Sequence, residues 1–161
     1  FFMIGNAVAQ SAQPIISYNY GISRWNEIRE ARRLLLSTSA AIGAVVALLF
    51  ILIPDTLVAL FVDTASKAGM IAIEGFPYFA AGIVFFILNV AIVGYYQSVE
   101  QIRRATLFVF MRGFLLLIPS FILLPKALGA EGIWLAMPLA ELVTTLAIVL
   151  LFTRQRLRFI R

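Results

Sequence analysis

Glu141 stands between Ala140 and Leu142, one turn after Pro138, near the middle of a long apolar run. A carboxylate at the centre of a membrane span costs roughly 2.5–3.5 kcal/mol on insertion scales, so a group inside the protein must receive it. Left unpaired, it could load and release a proton near neutral pH. Held by a hydroxyl or amide of a neighbouring helix, it would be structural instead. Both roles are open on the sequence. Glu74, in AIEGFPYF, is placed about a turn inside the outer end of another apolar run. It is read as an outward-facing cation contact or as an interfacial carboxylate that reaches water. Arg112 lies about two turns into the fourth run, and its long stem favours snorkelling to the cytoplasmic headgroups over substrate contact. Pairing with an acid of another helix is the alternative.

A set of amides and aromatics is the second candidate for chemistry. Asn6, Gln10, Gln13, Ser17, Tyr18 and Asn19 fall in the first apolar run, and Tyr78, Asn89, Tyr95, Tyr96 and Gln97 in the third. Asn6, Gln10, Gln13 and Ser17 are spaced by three and four, which puts them on one helix face. A polar stripe on a membrane helix has to face a partner or a water-filled cavity. Interhelical hydrogen bonding, worth about 0.6 kcal/mol per contact, is the simpler role. The length of the stripe favours a cavity wall.

The elements that position these residues follow from composition. The chain has 161 residues, is 62% hydrophobic and 13% charged, and has a mean hydropathy of +0.98. Those values exclude an ordinary soluble domain and fit an all-α, polytopic transmembrane helix bundle. Each span needs about 20 largely apolar residues, and about five spans are expected: 2–20, 34–52, 69–97, 105–124 and 132–152. The stretch TLVALFV (56–62) is too short to cross alone. It is expected to extend the second helix past Pro54 or to lie at the interface. Pro77 is expected to kink or tilt the third span, and Pro125 to stop the fourth. Small residues on the second span (Ala40, Ala41, Gly43, Ala44, Ala47) suit close helix packing.

The charges fall between these runs. RWNEIREARR (24–33), EQIRR (100–104) and the tail RQRLRFIR (154–161) are basic, so these segments and the C-terminus are expected on the cytoplasmic side. RWNEIREARR reads as a solvated connector, with a short surface helix paired Glu27 to Arg24 as the alternative. Trp25 suits an interfacial anchor. The net charge of +5 belongs to this topology rather than to nucleic-acid binding. The sequence has no Cys and no His, which removes disulfides, thiolate metal sites and the commonest general base. With no phosphate loop or nucleophile–base pair, neither an enzyme nor a cofactor or metal site is expected. The first residue is Phe with no charged segment before the apolar run, which is read as the C-terminal part of a longer protein rather than as a signal peptide.

Three phrases resemble the multidrug and toxic compound extrusion family. AQSAQPIISYNYGISRWNEIREA resembles its eighth transmembrane segment and following loop. NVAIVGYYQSVEQIRRA is similar to the end of its tenth segment, and RGFLLLIPSFILLPKALGAEGIWLAMPLAE to its eleventh and twelfth. Ile22 departs from the Ala more usual after the Gly. The resemblance implies helices eight to twelve of a two-lobe, twelve-helix transporter, whose partner is the N-terminal lobe not present in this chain. It implies export of small cationic or amphipathic compounds in exchange for Na⁺ or H⁺, by alternating access, across a cell membrane, expected to be a bacterial inner membrane. In that picture the substrate- or ion-binding candidates are Gln10, Gln13, Tyr18, Asn19, Glu74, Tyr78, Asn89, Arg112 and Glu141. Pro14 would loosen the first helix, Tyr18 and Tyr20 would offer π-faces to cations, and Gly21 would cap it. A lipid-linked oligosaccharide flippase of the same superfamily is the alternative. It would call for more cations lining the cavity than Arg112 alone.

Overall fold

A computed structural model describes the backbone of residues 2–158 and the side chains through Leu151. The described residues form seven α-helices and one π-helical turn: α1 (Phe2–Gly21), α2 (Trp25–Leu52), α3 (Pro54–Ala59), α4 (Lys67–Ser98), α5 (Ile102–Phe110), the π turn Met111–Leu116, α6 (Leu117–Leu128) and α7 (Ala130–Arg158). Four helical stretches are long and apolar enough to cross a membrane: 25–52, 67–98, 102–128 and 130–151. The 20-residue α1 is not among them, because its amides lower its hydropathy. It nonetheless packs along α2 and α4. The basic tail 154–161 lies outside the described side chains.

The helix α4 is the hub, in contact with α1, α2, α3, α5 and α7. Its buried set recurs at helical spacing. Ala80, Ile83, Phe86 and Ile87 meet Ala47 of α2 and Met137 of α7 in the largest apolar cluster. Gly43 of α2 comes so close to α4 that an added Cβ would stand 3.0 Å from the Val84 Cα. The small-residue expectation therefore holds for Gly43 and Ala47, whereas Ala41 and Ala44 face outward.

The seam between α4 and α7 is tighter still. Gly75, Gly82 and Asn89 are seven apart on α4 and present one face. A Cβ at Gly75 would overlap the Trp134 indole, and one at Gly82 would sit 2.7 Å from the Pro138 Cα. Two glycines let the helices approach where α7 carries a bulky ring and a proline. Asn89 then meets Glu141 one heptad further along.

Several boundaries differ from the sequence expectation. RWNEIREARR is exposed over most of its length, as expected, but it is not a connector: α2 starts at Trp25 and the arginines fill its first turns. The expected Glu27–Arg24 pair is not formed; Arg29 instead donates to the Asn26 side chain at 2.8 Å. The α3 segment is a separate short helix, broken from α2 at Ile53. Neither Pro14 nor Pro77 interrupts its helix. The fourth span does not stop at Pro125 but runs to Leu128, where Gly129 at φ 67° turns the chain. Pro119 offers no N–H to the carbonyl four residues back, and the helix widens into its π turn immediately before it.

The turns at the basic end are built alike. Gly21 is not the left-handed cap of α1; Ser23 is, at φ 57°. Ser23 N donates to Tyr20 O and Arg24 N to Asn19 O, the paired bonds of a Schellman motif. At the end of α4, Glu100 takes φ 58°, with Glu100 N bonded to Gln97 O and Gln101 N to Tyr96 O. Ile28 and Val99 share a core cluster, so both turns lie at one end of the bundle. Arg32 stacks over Tyr95 and Arg104 over Tyr96 there.

Candidate functional site

Glu141 is buried at the middle of α7, and its carboxylate is fully engaged. Arg112 donates to Oε1 from Nε at 3.1 Å and from a terminal nitrogen at 2.6 Å. Asn89 Nδ2 donates to Oε2 at 2.8 Å and lies 3.0 Å from the Glu141 carbonyl. Thr145, one turn on, holds its hydroxyl 3.0 Å from both Asn89 Oδ1 and that carbonyl. The Arg112 guanidinium also lies over the Phe86 ring, 4.5 Å from its centroid. Three spans thus converge on one carboxylate, and the net charge of the cluster is zero. A buried ion pair of this kind survives because hydrogen bonds satisfy its remaining lone pairs and protons.

Arg112 has two faces. One binds Glu141, and the other lines a cavity of ≈ 210 Å³ between α1, α4 and α5. Asn6, Gln10 and Gln13 of α1 and Gln97 of α4 line the same space, with Gln13 Nε2 donating to Gln97 Oε1 at 3.4 Å. The polar stripe of the first helix is a cavity wall over Asn6, Gln10 and Gln13. Gly94 opens the space, since a Cβ there would press to 3.2 Å from Ala9. The lining is rich in neutral donors and acceptors, and its one cation among the described residues is compensated at the rear.

The sequence candidates divide accordingly. Asn89, Arg112 and Glu141 form the cluster, and Gln10 and Gln13 line the adjoining cavity. Arg112 does not snorkel, because Glu141 supplies a nearer counter-charge inside the bundle. Tyr18 is 67% exposed and lies outside the cavity lining. Asn19 turns its amide onto the Ile15 carbonyl at 2.8 Å. Glu74 and Tyr78 are exposed on the far half of α4, away from the cluster. Thr145 and Phe86 escaped the sequence reading. Thr145 carried a signal, lying four after Glu141 on the same helix face; Phe86, one of 14 phenylalanines, carried none.

Comparison with curated proteins and with solved structures finds no match. A family model described as MatE matches residues 1–123. The chain belongs to the MatE family. MatE proteins are membrane efflux transporters rather than enzymes. The matched region holds the cavity, Asn89 and Arg112, while Glu141 follows it in α7.

Proposed function

We propose that this MatE chain forms one lobe of a cation-coupled antiporter that exports cationic or amphipathic compounds in exchange for H⁺ or Na⁺ by alternating access. The observation that carries the reading is the neutral Arg112–Glu141 pair set directly behind an amide-lined cavity. In a low-dielectric site the net charge governs which further charges are accepted. With Glu141 ionised, the pair is neutral and a substrate cation meets no net repulsion. With Glu141 protonated, Arg112 leaves the site at +1. A cation about 8 Å away is then disfavoured by about 2 kcal/mol at an effective dielectric near 20, or roughly thirtyfold in affinity. In a conformation that parts Arg112 from Glu141, loading a proton would therefore disfavour the substrate, and losing it would readmit one. Sodium would act at the same atoms by competing with Arg112 for Oε1. The amides supply oriented dipoles for the substrate without adding charge, and the basic turns at one end of the bundle support a cytoplasmic C-terminus. The flippase alternative needs free cations for a diphosphate, and among the described residues the only cation lining this cavity is bound to Glu141.

The test uses full-length protein in proteoliposomes, following ethidium under separately imposed H⁺ and Na⁺ gradients. Glu141→Gln is expected to lose gradient-driven transport while remaining folded. Full activity in that variant would make the carboxylate structural. No cation transport by the wild type would favour the flippase.

A further inference from the structure

A second space, separate from the first, lies on the other side of α1. Asn6, Ala9, Gln10 and Gln13 face the inner cavity, whereas Val8, Ala12, Ile15 and Asn19 line a larger cleft of ≈ 370 Å³ between α1 and α2. The two sets point about 140° apart on a helix that advances about 100° per residue. Glu27 and Glu30 line this cleft near its mouth, and Leu34 and Leu35 continue it inward. From Glu30 to Thr38 and from Asn19 to Val8 it extends about 12–16 Å along the helices.

The chemistry of the lining names a ligand class. The cleft opens at the end of the bundle that carries the arginines of α2 and α5, yet among the described residues no arginine or lysine lines it. Among the described residues neither Glu27 nor Glu30 forms an ion pair. The two carboxylates lie three apart and so share a face of α2, the same face as Leu34. A ligand entering here meets negative charge at the mouth and aliphatic walls beyond, the inverse of an anionic-lipid site. An amphipathic cation in a bilayer has the matching layout, with its charge at headgroup level and its apolar body in the hydrocarbon.

We propose that the α1–α2 cleft is a second binding site, which takes up amphipathic organic cations at the basic end of the bundle before they reach the amide cavity. The proposal rests on the cation-export reading. Glu27 and Glu30 neutralise the charge, Val8, Ile15 and Leu34 bury the body, and α1 is the partition between this site and the inner one.

Photolabelling of full-length protein in proteoliposomes by the azido derivative of ethidium tests it, with modified peptides mapped after digestion. Residues 27–38 report on the cleft alone, and residues 90–97 on the inner cavity alone. The E27Q/E30Q variant alters exposed positions of α2. Ile15→Trp fills the cleft without touching charge. Either change is expected to lower labelling of 27–38 by roughly tenfold, as the loss of about 1.4 kcal/mol of contact dictates, with 90–97 still labelled. Labelling of 90–97 without labelling of 27–38 in the wild type overturns the cleft and leaves the export reading standing. Labelling of 27–38 that neither variant reduces overturns it equally. No labelling of either segment, with no transport, overturns both.

Discussion

Glu141→Gln is the perturbation whose cost the geometry fixes best. Both carboxylate oxygens face donors, Arg112 on one and Asn89 Nδ2 on the other. A carboxylate accepts on both oxygens, but an amide accepts on one side and donates on the other. The substituted amide must aim its own N–H either at the guanidinium or at the Asn89 nitrogen. Each orientation sets donor against donor. Removing one partner of a buried pair costs about 3–5 kcal/mol. The stacking of Arg112 on Phe86, worth about 2 kcal/mol when desolvated, persists, and one neutral hydrogen bond is retained. A loss of about 3 kcal/mol of unfolding free energy is expected by denaturant titration of the protein in mixed micelles, read by circular dichroism. The argument also predicts a partial rescue. Adding Asn89→Asp moves the carboxylate across the contact, where it accepts from the new amide and from Thr145, offset in part by the oxygen now set against the backbone carbonyl of position 141. At least about 1 kcal/mol should return. A single variant within about 0.5 kcal/mol of wild type, or a double variant no better than the single, would refute the donor–donor reasoning.

Other consequences are testable with the same preparations. Gly82→Val places its Cβ against the Pro138 backbone and should destabilise by about 3 kcal/mol in the same titration, whereas Gly113→Ala, where nothing lies within 4 Å, should change stability by less than about 1 kcal/mol. Ser23→Gly and Glu100→Gly relieve left-handed backbone at two non-glycine caps, and each should raise stability by about 1 kcal/mol. Gln13→Leu removes the contact to Gln97 and one dipole of the cavity wall; the concentration of ethidium for half-maximal transport should rise about fivefold, as one hydrogen bond is worth about 1 kcal/mol.

The spans were legible because apolar runs bounded by charge admit little else, and Glu141 because a carboxylate in such a run is costly wherever it points. The amide stripe of α1 was readable from spacing alone, and the cavity behind it agrees over Asn6, Gln10 and Gln13. Arg112 was misread for a definite reason. A sequence shows how far a residue stands from the end of its span but not which helix lies beside it, and only the fold brings position 112 to position 141. RWNEIREARR was read as a connector because its charge density argued for solvent, where most of it does lie, while its helical register, equally visible, continued into α2. The left-handed residue after α1 was assigned to Gly21 on propensity. The Schellman bonds place it two residues later, on a serine.

The glycine seam also bears on how such a bundle can move. A slide of α7 along α4 by one turn, about 5.4 Å, would carry the Trp134 indole off Gly75 and onto the side chain of Ile71 or Phe79. Nothing at those positions offers the space that the glycine leaves. Axial slippage is thereby blocked, and α4 and α7 behave as a single strut with Asn89 and Glu141 locked in alignment. Any switch that parts Arg112 from Glu141 has to be carried by the third contributor. Position 112 sits in the π turn, and tightening that wider register to α would rotate the residue about the helix axis.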